Sequence, residues 1–143
     1  ETSPEQTTLS SFQALNRLQV IGFGVLCVFT VLHSVVIGQF FSSALLVFAK
    51  EQLRPIGGFS VPAQWFLSLN SLMDLILAYP LAWFYDSVAH VKYHAKFRMS
   101  FAALVLACGL ITVAAQVSPP GAVPPYVVVF AVALASFSEV HWA

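Results

Sequence analysis

The sequence predicts an all-α membrane protein with four transmembrane helices. Residues 18–49 carry no Asp, Glu, Lys or Arg, and this run exceeds the roughly 20 apolar residues that a helix needs to cross a bilayer. Three further apolar stretches follow it. Only 8% of the 143 residues are charged, whereas a soluble domain usually has about 25%. We therefore expect lipid rather than water to surround most of the chain.

The polar segment 1–17 precedes the predicted four-helix transmembrane domain, 18–143. This segment begins without Met and lacks the basic start and short apolar core of a signal peptide. Processing of a precursor and a start within a longer chain would each explain that beginning. The first span is predicted over 18–49, and it ends at a link rich in helix breakers: Pro55, Gly57, Gly58 and Pro62.

The second span is predicted over 63–85, with Pro80 inside it. Because proline has no N–H for the helical ladder, Pro80 predicts a kink whose freed carbonyl is satisfied by neighbouring groups. The third span is predicted over 99–117. The segment 118–125, SPPGAVPP, predicts a tight turn, and the fourth span then occupies 126–142.

Four spans place both termini on one side of the membrane, together with the link between the second and third spans. That side carries four basic residues, Arg17, Lys92, Lys96 and Arg98, and the opposite side carries Lys50 and Arg54. By the positive-inside rule, the termini face the cytoplasm, matrix or stroma.

Asp74 is an acid near the middle of the second span. An ionised carboxylate at that depth costs about 2.5–3.5 kcal/mol even on insertion-based scales. Asp74 is therefore expected to be protonated, to be hydrogen-bonded, with Ser71 one turn away, or to pair with a group on another chain. A proton or ligand site is the functional interpretation, but we favour a neutral or hydrogen-bonded acid at a helix contact.

Histidine and cysteine give weaker signals. His33 is the only histidine deep inside a span, so it is a candidate axial ligand for haem or chlorophyll, although a core histidine bonded to a backbone carbonyl is the favoured interpretation. His90 and His94 are four residues apart, but without a carboxylate or Cys they make a poor metal site. No metal is predicted.

Cys27 and Cys108 lack metal-ligand spacing and are interpreted as small packing residues.

Common catalytic signatures are missing from the sequence. It contains no Gly-rich phosphate loop, no nucleophile elbow and no Cys-x-x-Cys pair. Six basic residues balance six acidic ones, which argues against a nucleic-acid partner. We therefore expect a protein that is not an enzyme.

Five stretches together carry a family resemblance: 39–49 (QFFSSALLVFA), 59–70 (FSVPAQWFLSLN), 77–83 (LAYPLAW), 96–97 (KF) and 138–139 (SE). In this order and spacing they resemble the seventh to tenth helices of the proton-dependent oligopeptide transporters, a family of the major facilitator superfamily. The resemblance covers nearly the whole chain after the polar segment.

The resemblance implies part of one half of a twelve-helix transporter in which protons drive peptide uptake. Asn70 and Glu139 fall on positions that line the family's cavity, and the family's acid at the position of Glu139 meets the peptide amino terminus. The chain departs from the family pattern at four positions: Gly38, Leu67, Ser71 and Asp74. The acid and Arg motif of the family's first helix, which serves proton coupling, belongs to a half that this sequence does not contain.

These observations predict a non-catalytic accessory subunit of a larger membrane complex, derived from a transporter-like half. A respiratory, ATP-synthase or photosynthetic assembly in the mitochondrial inner or thylakoid membrane is the expected setting, with other membrane subunits and lipids as partners. The alternative is a fragment of a working oligopeptide transporter, with peptide as substrate. Under a third interpretation, His33 binds chlorophyll or haem within a complex. No cofactor is otherwise predicted, although bound lipids are.

Overall fold

A computed structural model describes residues 17–87 and 92–142 of the protein. Of these described residues, 84% are helical, and the described ranges contain isolated β-bridges but no strand. This confirms the predicted all-α class. The polar segment 1–17 lies outside the described residues except for Arg17.

The first helix, α1, spans Arg17–Gln52 and is interrupted by one π-helical turn at Phe40–Ala44. In that turn the N–H of Leu45 donates to the carbonyl of Phe40, five residues earlier. Ser43 Oγ donates to the Gln39 carbonyl at 2.9 Å, and such side-chain bonds inside the ladder accompany bends and bulges in helices. The predicted first span is confirmed as helix, whereas the π turn was not foreseen.

The remaining helices are α2 (Gln64–Ser87), α3 (Tyr93–Val117) and α4 (Pro125–Trp142). Pro80 lies inside α2, as predicted, and its kink stays a prediction. The third helix begins earlier than the predicted span because a helix can continue past the membrane boundary, where charged residues are well solvated. Pro125 opens α4, a position that needs no N–H.

Three of these helices, α1, α2 and α3, are long and apolar enough to cross a membrane. The apolar part of α4, Pro125–His141, is shorter than a full span. Of the four predicted spans, three are therefore confirmed as helices of spanning length among the residues described, and the fourth is a shorter apolar helix. This composition fits an integral membrane protein.

The chain divides into two compact units, Glu1–Val35 and Val36–Ala143. In the described part of the first unit, residues 17–35 of α1, almost every side chain is exposed, as Leu18 (74%) and Phe23 (67%) illustrate. His33 is the exception, at 3% exposed. An apolar helix with this exposure suits lipid as its solvent, since soluble proteins rarely expose large contiguous apolar patches.

In the second unit the core lies mainly between α3 and α4, with the end of α1 against it. Its fully buried members are small or medium-sized, among them Leu45, Ala107, Val128, Ala131 and Ala135. Small residues let helix backbones approach closely, which supplies packing energy where lipid removes the hydrophobic driving force.

Two loops of the second unit are hydrogen-bonded to each other. Val123 N–H donates to the Gln52 carbonyl at 2.9 Å, and Arg54 N–H donates to the Val123 carbonyl at 2.8 Å. The loop after α1 and the loop before α4 therefore lie at the same end of this unit. Two helices, α2 and α3, separate these loops along the chain, so the second loop returns to the end at which the first lies. These bonds hold the end of α1 beside the start of α4.

Both loops use glycine where the backbone is left-handed. Gly57 and Gly58 have φ of 58° and 85°, and they form a two-residue turn closed by paired bonds between Ile56 and Phe59. Positive φ at both central positions is typical of the hairpin turn that favours Gly. In the second loop Gly121 has φ of 74°, which confirms the tight turn predicted over 118–125.

Candidate functional site

Four polar side chains meet where α2 packs against α4. Asn70 is central: its Nδ2 donates to Glu139 Oε2 at 3.1 Å and to Asp74 Oδ2 at 3.4 Å. Ser136 Oγ donates to Asn70 Oδ1 at 2.6 Å. One amide thus connects two carboxyl groups and a hydroxyl. We call Asn70, Asp74, Ser136 and Glu139 the polar cluster.

Helical spacing explains why these side chains share one interface. The two α2 members are four residues apart and the two α4 members are three apart, and both spacings place side chains on one helical face. The same part of α4 carries Ala131 and Ala135, which are fully buried. These two alanines lie seven and three residues before Ser138, on the face of α4 that meets α3.

The two carboxyl groups of the polar cluster are close together. Since Asn70 Nδ2 contacts both, the oxygens of Asp74 and Glu139 are no farther apart than the sum of the two contact distances. Two ionised carboxylates at such a separation repel each other, and ionisation in lipid is costly by itself. The polar cluster is therefore suited to keep at least one of its acids neutral.

One atom of the polar cluster is left over. Asp74 Oδ1 is buried and has no hydrogen-bond partner among the described residues. Ser136 lies near the same carboxyl group, but its hydroxyl proton goes to Asn70 Oδ1. The cluster is thus rich in acceptor oxygens, and Asp74 Oδ1 is an oxygen that could carry a proton.

A second group of polar side chains lies toward the end of the bundle where α2 ends and α3 begins. The Tyr85 hydroxyl is hydrogen-bonded to His141 Nε2, and Lys96 Nζ lies 4.0 Å from the centre of the Tyr85 ring. His141 Nδ1 is 2.7 Å from the Phe137 carbonyl. Because a carbonyl only accepts, Nδ1 carries the proton, and in the neutral ring Nε2 accepts from Tyr85.

A serine pair joins α3 to α4. Ser100 Oγ lies 2.9 Å from the Ser138 carbonyl and 3.0 Å from Ser138 Oγ. Both residues are fully buried. The Ser100 hydroxyl donates to the Ser138 carbonyl, and either hydroxyl can be the donor in the contact between the two side chains.

The structure brings together three of the four predicted site residues. Asn70, Asp74 and Glu139, which were singled out for separate reasons, belong to one hydrogen-bonded cluster. Ser71, the expected neighbour of Asp74, is exposed, and that suggestion was wrong because Asn70, on the preceding turn, faces α4 instead. His33 belongs to the first unit, where it is buried and engaged in an interaction. Its role as a pigment or haem ligand stays a prediction.

Several residues of these clusters were missed from the sequence. The missed residues are Ser136, Tyr85 and His141. Each lies within one turn of an identified residue or at the end of a span. Serine and tyrosine are too common in membrane helices to mark a site by themselves. The only usable signal was the three-residue spacing between Ser136 and Glu139, which places a hydroxyl on the same face as an intramembrane acid.

Metal ligands and cysteines add little. Within 17–87 and 92–142, no group of three His, Cys, Asp or Glu residues could hold a metal ion, and His90 lies outside these ranges. Both cysteines are free. Cys108 packs against the core as expected, whereas Cys27 is exposed, so the packing interpretation was wrong for Cys27 within the described structure.

The chain was compared with known proteins at three levels. No protein-family model, no curated protein and no solved structure matches it. The resemblance to oligopeptide transporters therefore depends on the quoted stretches alone.

Proposed function

We propose that the protein is a non-catalytic accessory subunit of a larger membrane complex, built on a transporter-like half bundle. The observation that carries this proposal is the state of Asn70. Its amide nitrogen donates to two acids and its side-chain carbonyl accepts from Ser136. Both ends of the side-chain amide are therefore engaged in hydrogen bonds within this chain. A residue that lines a working substrate cavity would need free hydrogen-bonding groups.

Interhelical hydrogen bonds of this kind hold membrane helices together. Measured values average about 0.6 kcal/mol and reach about 1.7 kcal/mol per interaction in lipid. The bonds of Asn70 to Ser136 and Glu139 therefore serve as adhesion between α2 and α4. The positions that would contact peptide under the family resemblance act here as structural contacts.

Exposed apolar side chains also support an accessory role. The second unit presents one group of helices with large exposed apolar side chains, among them Leu75 (74%), Leu106 (61%) and Phe130 (60%). Lipid and neighbouring subunits of a complex would both cover such faces.

The proposed setting is an organelle membrane, either the mitochondrial inner membrane or the thylakoid, within a respiratory, ATP-synthase or photosynthetic assembly. Extraction of native membranes in mild detergent, followed by native gel electrophoresis and mass spectrometry, tests this. We expect the chain to co-migrate with other membrane subunits at a mass far above its own 15.6 kDa. Migration as a lone monomer would contradict the proposal.

The second candidate function is that of a fragment of a proton-coupled oligopeptide transporter. The unpartnered Asp74 Oδ1 beside Glu139 favours it, since proton-coupled transport needs an intramembrane acid that can exchange its proton. Intact-mass measurement of the native polypeptide separates the two proposals. A product of several hundred residues that takes up peptide in proteoliposomes would support the transporter, and a product near 15.6 kDa would support the accessory subunit.

A further inference from the structure

An apolar groove follows α3 and α4 within the second unit. Two adjoining cavities of about 400 and 420 Å³ form it, and they share Phe130 and Ala133 of α4. The first cavity reaches Met99 on α3, and the second reaches Leu110 on the same helix. The two cavities therefore adjoin along the α3–α4 pair, and Met73 and Leu77 of α2 complete the lining of the first.

The length of the groove matches one leaflet of a bilayer. The α3 residues from Met99 to Leu110 cover about 16 Å at 1.5 Å per residue, and half of a hydrocarbon core about 30 Å thick is about 15 Å. The lining of the first cavity consists only of apolar side chains, including Ala102 and Leu106. A single acyl chain lying along α3 and α4 would fill such a groove.

Basic side chains stand at the Met99 end of the groove. Lys96, one turn before Met99, is held over the Tyr85 ring, and Arg98 is exposed beside it. Lys92 before α3 is also exposed. Two acids lie close in sequence to the residues of this end: Asp86 follows Tyr85, and Glu139, which is hydrogen-bonded to Asn70, precedes His141 by two residues. The mouth of the groove therefore carries an excess of positive charge.

We propose that this groove binds an anionic phospholipid, with one acyl chain along α3 and α4 and the headgroup phosphate against Lys96 and Arg98. Basic pockets between transmembrane helices on the cytoplasmic or matrix side bind anionic headgroups, and the proposed orientation places this end on that side. A zwitterionic lipid would leave the excess charge uncompensated. The inference needs only a membrane around the chain and does not depend on the accessory role.

Native mass spectrometry of the full chain in detergent tests this site. The chain is incubated with phosphatidylglycerol or with phosphatidylcholine of the same acyl chains, and retained lipids are counted. We expect one phosphatidylglycerol to be retained in clear preference, by about fivefold for each basic side chain that contacts it. Soluble glycerol phosphate should not displace the lipid, because the acyl chain supplies much of the binding.

Variants separate the headgroup contact from the groove. K96Q/R98Q should lower phosphatidylglycerol retention to the phosphatidylcholine level, whereas K50Q/R54Q removes the same charge at the opposite end and should retain the preference. Ala102→Phe, or the milder Ala102→Leu if the first fails to fold, should reduce retention of both lipids. Far-UV circular dichroism verifies the helix content of each variant.

Four results would overturn the inference. The first is equal retention of the two lipids by the unmodified chain, and the second is an equal loss in K50Q/R54Q and K96Q/R98Q. The third is full retention after a folded groove variant. Displacement by glycerol phosphate alone would indicate a phosphate site without a lipid groove, and it would likewise contradict the assignment.

Discussion

The two units of the protein differ in where their polar side chains lie. In the first unit, residues 17–35 form one apolar helix on which His33 is the single buried polar residue among those described. In the second unit, polar groups from three helices converge into the polar cluster and the serine pair. Residues 17–35 and the helices of the second unit are both apolar, so apolar character alone does not explain why buried polar side chains from several helices converge in the second unit.

The difference indicates what specifies packing when lipid is the solvent. Lipid tails are as apolar as leucine, so contact between leucine side chains gains little over contact with lipid. Small side chains and interhelical hydrogen bonds do discriminate. The second unit has both along α4, in Ala131, Ala135, Ser136 and Ser138, whereas Gly22 and Gly24 in the first unit have open space around them.

The largest effect is expected from Asn70→Ala. The change removes the amide that links α2 to α4 and leaves two acids and a hydroxyl without their partner, so we expect a loss of about 2 kcal/mol in unfolding free energy. Unfolding in mixed micelles, followed by tryptophan fluorescence, measures it. The control Gln64→Ala removes an exposed amide from the same helix and should change the unfolding free energy by less than about 0.5 kcal/mol. Equal effects of the two variants would show that the polar cluster is not a structural contact.

A backbone effect of the next size is expected at Gly58. Its φ of 85° is unfavourable for any side chain, so Gly58→Ala should cost about 1 kcal/mol or more. Gly22→Ala is the matched control in the other unit, because an added Cβ there meets nothing within 4 Å and alanine favours the helix. The unfolding midpoints of the two variants are measured in the same micelles. A Gly58→Ala variant as stable as the unmodified protein would show that the turn at Gly57 and Gly58 does not require glycine.

The serine pair tests whether hydrogen bonds join α3 to α4. Ser100→Ala and Ser138→Ala should each destabilise the protein by about 0.6 kcal/mol, the average for such contacts in membranes. A double-mutant cycle isolates their coupling. Additive losses would show that the two hydroxyls act independently despite their 3.0 Å separation.

A smaller effect is expected from Asp74→Asn if the acid is a neutral helix contact. Asparagine keeps the shape of the side chain and can still accept from Asn70, so stability should change by less than about 0.6 kcal/mol, the average for one interhelical bond. The peptide uptake assay supplies the second measurement. Loss of uptake with unchanged stability would support the transporter alternative, because only a proton-exchanging acid is then removed.

The smallest effect is expected at His33, in the first unit. His33→Leu should leave the absorption spectrum and the bound-pigment content of the purified complex unchanged, as for a histidine that serves only in packing. A lost or shifted pigment band would assign His33 as an axial ligand and overturn this expectation.

Much of the fold follows from the sequence. Apolar stretches and breaker clusters located all four helices and both loops, because lipid forces backbone polar groups to be satisfied within each helix. The start of α3 at Tyr93 and the π turn at Phe40–Ala44 did not follow. Where a helix ends outside the apolar region, and where its hydrogen-bond register changes locally, depends on contacts between side chains. A hydropathy pattern gives no information about those contacts.

The sequence by itself determined that the chain is helical, that lipid suits its surface and that Asn70, Asp74 and Glu139 are unusual at their positions. Only the tertiary structure decided that these three residues share one network, that Ser136 completes it and that Lys96 lies over Tyr85. The physical reason is that spacing along a helix fixes which face a side chain occupies, whereas the partner of that face is chosen by packing between helices distant in sequence.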